Sequence, residues 1–100
     1  MQLLGLLLAL LCLTPLPVAA DSRVNWEFTA ENSILSIAAS ADNSVIAVAA
    51  RDDRVYVFDG EGNLQWQWEG RNSMTGVDIS DDGSLIATSN LDRYLRLFSR

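Results

Sequence analysis

Histidine and lysine are absent from this chain of 100 residues, and cysteine occurs once. Without histidine there is no histidine-based triad and no His-containing zinc site; without lysine there is no Schiff-base lysine. The single thiol, Cys12, lies inside a leading apolar run, so removing that run would also remove any disulfide, thiolate nucleophile or Cys metal cluster. Positive charge is scarce as well. Thirteen acidic residues face seven basic ones, for a net charge of −6. The basic residues are all arginine (Arg23, Arg51, Arg54, Arg71, Arg93, Arg96 and Arg100) and stand among carboxylates, with no basic stripe. A surface that tracks phosphates needs the opposite balance, so nucleic acid is not an expected partner. Helical periodicity is missing after residue 20.

The first 20 residues stand apart. Leu3 to Leu13 is apolar, Pro15 and Pro17 break the run, and Val18-Ala19-Ala20 places small residues before the polar Asp21. That order is expected of a cleaved export signal, although Met1-Gln2 carries no basic residue. The run is short for a membrane-crossing helix. Residues 1–20 are therefore expected to be a signal peptide and residues 21–100 an exported chain, periplasmic, cell-surface or extracellular. A membrane association enters only if the segment stays uncleaved as an anchor, and lipidation at Cys12 is disfavoured because no small residue precedes it.

Beyond residue 20 the apolar period is two. Val24, Trp26 and Phe28 alternate with polar residues, as do Leu64, Trp66 and Trp68; Leu35, Ile37 and Ala39 read as the apolar face of another half-buried strand. Val45 to Ala50 is apolar on both sides, as a central strand would be, and Val55 to Phe58 is β-branched and aromatic throughout. Turn residues separate these runs at Ala41-Asp42-Asn43-Ser44, Asp59-Gly60-Glu61-Gly62-Asn63 and Asp81-Asp82-Gly83-Ser84. Strands are expected at about 24–28, 34–40, 45–50, 54–58, 64–69, 75–80, 85–89 and 94–98.

The chain also repeats itself once at an offset of 40 residues. Trp26 falls on Trp66, Asn32-Ser33 on Asn72-Ser73, Ser40 on Ser80, Asp42 on Asp82, Ile46-Ala47 on Ile86-Ala87, Asp52 on Asp92 and Phe58 on Phe98. A unit of about 40 residues built from four short strands is the size of one β-propeller blade. The fold class expected is all-β, with two four-stranded antiparallel blades, as repeats at about 24–63 and 64–100. Two blades cannot close a ring, which takes about four or more.

Met74 to Phe98, through Gly76-Val77-Asp78-Ile79-Ser80-Asp81-Asp82-Gly83-Ser84-Leu85-Ile86-Ala87-Thr88-Ser89, Asp92 and Leu95-Arg96-Leu97-Phe98, resembles the inner strands of a WD-repeat blade. The first unit resembles it through Ser40, Asp42, Ile46, Ala47, Asp52 and Phe58-Asp59, the last pair standing where the family has Trp-Asp. Asp59 to Trp66 is also similar to the glycine turn and tryptophan of quinoprotein-type (PQQ-like) repeats, one residue shorter and without the threonine. The resemblance implies that Asp52 and Asp92 are turn aspartates accepting backbone N–H groups. The family's Gly-His pair is missing, so its histidine-to-aspartate network cannot form here.

No chemistry-bearing constellation emerges. Asp78, Asp81, Asp82 and Gly83 invite a calcium site, but Ala38 and Ala41 stand at the matching positions of the first unit and turn chemistry accounts for Asp82-Gly83. No carboxylate pair is singled out for glycoside hydrolysis. The expectation is a non-enzymatic protein without cofactor or metal, binding or scaffolding a protein or carbohydrate ligand through blade loops. If the family geometry holds, the binding rim comprises 29–33, 51–54, 70–73 and 90–93, with Arg51, Asp53, Arg71, Asn72 and Arg93 as candidate contacts. The alternative for these five is a solvated loop or an internal ion pair. Trp26, Trp66 and Trp68 fit packing between blades better than a sugar groove. Two wider possibilities stand: a homo-oligomeric ring of two-blade chains, in one version lectin-like, or the N-terminal fragment of a longer propeller with no function of its own.

Overall fold

The computed structural model describes residues 23–100, which form two antiparallel sheets and no helix. The first sheet, blade 1, contains β1 (Ile34–Ala39), β2 (Val45–Ala50), β3 (Arg54–Asp59) and β4 (Leu64–Glu69) in that order. Blade 2 contains β5 (Met74–Ile79), β6 (Leu85–Asn90) and β7 (Leu95–Ser99). Each strand lies within one residue of the boundaries expected from the sequence. The expected signal peptide lies outside the described residues.

The 40-residue repeat extends to the irregularities of the backbone. The β1–β2 ladder shifts register between Ile34 and Ser36, and the β5–β6 ladder shifts between Met74 and Gly76. Asn43 and Gly83 occupy the same turn position with φ of 62° and 76°, and Asp53 and Arg93 share another with φ of 73°. Positive φ strains a residue with a Cβ, and two unlike side chains accept it at the 53/93 position. The turn geometry is therefore a property of the blade.

Two apolar layers hold the molecule together. In the first, Val45, Ala47, Ala49, Val55 and Val57 of blade 1 meet Met74, Ile79 and Ile86 of blade 2. Complete burial of a valine contributes about 1.5–3 kcal/mol, and Val55 and Val57 are 0% and 1% exposed in this layer. Trp66 and Trp68 complete this layer by packing on Phe98, with ring centroids 5.6 and 5.5 Å away. The second layer lies on the opposite face of blade 1. There Val48, Ala50, Tyr56 and Phe58 are covered by Trp26, Phe28 and Ala30. Backbone groups also join the blades: the Ala41 N–H donates to the Asp81 carbonyl at 2.9 Å, and the Val77 N–H to Ser36 Oγ at 3.2 Å.

Two expectations are corrected. Residues 24–28 do not form a strand, although Trp26 and Phe28 pack on Phe58 at 5.4 and 4.9 Å as Trp66 and Trp68 pack on Phe98. The side chains occupy the position of an outer strand, but no neighbouring edge among the described residues supplies a ladder. The apolar face of β1 is the second correction. Leu35 and Ile37 are 43% and 68% exposed, whereas Ser36 and Ala38 are half-buried towards blade 2. Ala38 pairs with Ala47 and shares its face, so the smaller residues of β1 are the ones pressed between the sheets.

Candidate functional site

Strand direction alternates through the meander, so the segments before β1, between β2 and β3, between β4 and β5, and between β6 and β7 emerge at one end. All five residues singled out from the sequence sit on this rim. Backbone hydrogen bonds tie it together in a repeating way: the Arg51 N–H donates to the Ser33 carbonyl at 2.8 Å, and the Leu91 N–H to the Ser73 carbonyl at 3.0 Å. The Gly70 N–H donates to the Asp53 carbonyl at 2.8 Å, linking the turn of blade 1 to the crossover into blade 2.

Each of the five has a definite place. Asn72 Oδ1 accepts from the Ser73 N–H at 3.0 Å, and its carbonyl accepts from Asn90 Nδ2 at 3.1 Å. Asp53 and Arg93 hold the positive-φ turn positions. Arg51, Arg71 and Arg93 are exposed, and none of them takes part in an ion pair among the described residues. The internal ion pairs belong instead to Arg54 and Arg96. Arg71 borders a cleft of about 450 Å³ at the junction of the blades, together with Trp68, Glu69, Asp92, Tyr94 and Arg96.

The turn aspartates behave as the resemblance implied. Asp52 Oδ1 accepts from the Arg54 N–H at 3.1 Å, and Asp92 Oδ1 from the Tyr94 N–H at 3.0 Å. Other residues stand in for the missing histidine network. In blade 1 the Tyr56 hydroxyl donates to Asp52 Oδ2, which also accepts from the Glu31 N–H, while Arg54 bridges Glu31, Asp52 and Glu69 at 3.3, 3.7 and 3.7 Å. Burial, followed by the hydrogen bond to Asp52, raises the Tyr56 hydroxyl pKa. In blade 2 Arg96 pairs with Asp92 at 3.0 Å, and its guanidinium lies 4.8 Å from the ring centres of both Trp68 and Tyr94. Burial works to raise the Asp92 carboxyl, but hydrogen bonds from Arg96 and the Tyr94 N–H, with the charges of Arg96 and Arg71, leave it lowered.

Sequence reasoning did not find Arg54, Tyr56, Tyr94 or Arg96. Their trace is present in the repeat: Arg54 and Tyr56 align with Tyr94 and Arg96, so the two side chains exchange places around a shared aspartate.

At the opposite rim Asp42, Asp59 and Asp82 accept hydrogen bonds within their turns. Asp82 Oδ1 accepts from Ser84 N, Ser84 Oγ and Ser80 Oγ at 2.9, 2.8 and 2.8 Å, which pulls its pKa down to about 2. Asp42 is lowered in the same way, by Ser44 first and then Ser40. Asp78 Oδ1 accepts from the Ile79 N–H at 2.9 Å. Among the described residues no group of three potential metal-ligating side chains gathers.

Short antiparallel meanders, stacked face to face at a 40-residue repeat and held by an aspartate turn at one rim, define a pair of β-propeller blades. The chain belongs to the WD domain, G-beta repeat family, which matches residues 22–59 and 62–99. Each matched stretch opens with outer-strand residues and ends with the third strand of the blade that follows. No curated protein matches the chain. WD repeats typically mediate protein interactions and are generally non-enzymatic scaffolds, so the chain is a binding or scaffolding module by family.

Proposed function

We propose that this chain is an exported binding module whose arginine-bearing rim takes an acidic segment of a protein ligand. The supporting observation is the set Arg51, Arg71 and Arg93, exposed on one rim and outside the ion pairs that engage Arg54 and Arg96. An arginine fork recognises a carboxylate through two parallel hydrogen bonds, and the rim loops balance Glu31, Asp52, Asp53 and Asp92 with four arginines, so they are neutral in a chain that is net negative. Nothing in this role needs a cofactor or a catalytic group.

Titration of a labelled glutamate-rich peptide, read by fluorescence anisotropy, tests the proposal. The 100-residue chain is expected to bind it with marked salt dependence, and R51A/R71A/R93A is expected to lose about tenfold or more in affinity, the equivalent of about 1.4 kcal/mol. Equal binding by the two proteins, or none by either, overturns it. A carbohydrate ligand is the second reading, favoured by Trp68 and Tyr94 beside the rim cleft. Arg96 already occupies the faces of both rings, which leaves less aromatic surface for a sugar.

Export rests on the apolar run Leu3 to Leu13 and the small residues before Asp21. Intact mass of the chain recovered from its host is expected to begin at Asp21; a chain retaining residues 1–20 would replace export by anchoring or retention. Further blades are needed to close the ring, supplied by other copies or by a longer polypeptide.

A further inference from the structure

The two blades turn opposite faces to each other, and the repeat identifies what each free face resembles. On the side of blade 1 that meets blade 2, Val45, Val55 and Val57 are 3%, 0% and 1% exposed. Their counterparts at the 40-residue offset lie on the free side of blade 2, where Leu85, Leu95 and Leu97 are 42%, 74% and 62% exposed. The relation also holds in the other direction. Met74, fully buried on the side of blade 2 that meets blade 1, corresponds to Ile34, which is 42% exposed on the free side of blade 1. Half-buried Val77 likewise corresponds to Ile37, 68% exposed. Each free face thus keeps the apolar character of a face that the molecule buries elsewhere.

The strand edges match too. β7 has no outer neighbour among the described residues, and the extended segment from Val24 to Ala30 has no ladder. That segment sits on blade 1 as β4 sits on blade 2, with tryptophan against phenylalanine in both. Moving the β3–β4 register by 40 residues sets Leu95, Arg96 and Leu97 opposite Phe28, Glu27 and Trp26 of another chain. The central pair brings opposite charges together across the new ladder.

We propose that the free face of blade 2 docks on the free face of blade 1 of a second copy, head to tail, with the second copy's residues 24–28 adding the fourth strand to blade 2. The contact repeats the one already present between the two blades of a single chain. A head-to-tail contact of this kind closes into a ring when its rotation allows, and a ring of about four to eight blades takes two, three or four copies. The inference is independent of the arginine rim, because neither face includes Arg51, Arg71 or Arg93.

The experiment is light scattering on a sizing column with the 100-residue chain as its host processes it, alongside I37D and L97D. Both substituted residues are exposed in the single chain, and far-UV circular dichroism reports whether each variant keeps its strands. The wild type is expected at a discrete multiple of the monomer mass. Each variant alone alters one face of every contact and is expected to fall to monomer mass. A one-to-one mixture of I37D and L97D retains one unaltered pairing, Leu97 of the first with Ile37 of the second, and is expected to give a heterodimer of twice the monomer mass. A monomeric wild type, as expected if the missing blades belong to a longer polypeptide, overturns the proposal. So does a mixture without the heterodimer, whether or not the separate variants are folded.

Discussion

Blades 1 and 2 share a repeat, their turns and their bulge positions, yet blade 1 is covered on one side and over β2 and β3 on the other, while blade 2 is covered on one side only. In blade 1, five of the six β2 residues are buried and the sixth is half-buried; in β6 only Ile86, Thr88 and Asn90 are buried. Composition does not cause this contrast, since Leu95 and Leu97 are larger and more apolar than the buried Val55 and Val57 they match. The neighbour decides burial. Blade 1 is covered by blade 2 on one side and, over β2 and β3 but not β1, by Trp26, Phe28 and Ala30 on the other, whereas blade 2 has only blade 1.

Met74 and Ile34 offer the strongest way to break the comparison. Met74→Ala empties a fully buried position between the sheets and is expected to cost about 2–5 kcal/mol. Ile34→Ala at the matching exposed position should cost under about 1 kcal/mol in the isolated chain. Urea unfolding followed by tryptophan fluorescence measures both, and similar losses would refute the unequal burial.

Thr88 and Val48 sharpen it next. Val48 of blade 1 has Thr88 as its counterpart, a buried residue whose hydroxyl has no hydrogen-bond partner. Replacement by the residue of blade 1, Thr88→Val, is expected to stabilise the fold by about 1 kcal/mol, read as a rise in Tm. Val48→Thr should act in the opposite sense. A destabilising Thr88→Val would mean that the hydroxyl is satisfied.

A smaller effect is expected from imposing the side-chain order of blade 1 on blade 2. Arg96→Tyr alone removes the partner of Asp92, while Tyr94→Arg with Arg96→Tyr restores an arginine and a tyrosine around the same aspartate. The double variant is expected within about 0.5 kcal/mol of wild type, with the single one up to about 1 kcal/mol below it, as is usual for half-exposed ion pairs. Simple additivity in chemical denaturation would dissolve the equivalence.

The smallest effect is the response to acid. Asp42 and Asp82 both have carboxyls lowered by serine hydrogen bonds, so their contribution is present above the ordinary carboxylate value of about 3.9 and is lost as pH falls through the folded value, about 2 for Asp82. Tm is expected to decline over that window, and Asp82→Asn to flatten the decline. A variant as acid-sensitive as wild type would show that this turn is not its source.

Much of the architecture is legible in the sequence because periodicity reports which side chains share a face and turn residues report where strands end. Seven strands follow from that, and the turn roles of Asp52 and Asp92 follow from the resemblance to a WD-repeat blade. Periodicity carries no information about ladders, which is why Val24 to Phe28 has the pattern of a strand without being one. It is also silent on which face meets a neighbour, so Leu35 and Ile37 read as core and stand in solvent. The rim position of Arg51, Asp53, Arg71, Asn72 and Arg93 was legible once the blade geometry of the family was laid over the repeat. The Arg54 and Arg96 networks were not, because their partners come from adjoining strands and loops whose distances only tertiary packing sets.

The unbroken strand order of each sheet has a consequence for the time course of folding. Every ladder joins strands adjacent in sequence across three to five residues, so each hairpin can form from local chain alone. Loops of that size close rapidly, with hairpins forming in about 1–10 μs. Contacts between Val57 and the blade 2 layer, or between Phe58 and Trp26, bring together residues tens of positions apart and repay their closure entropy later. The zipper-like hairpins thus come early, and the slow event is the meeting of surfaces that zippering has already shaped.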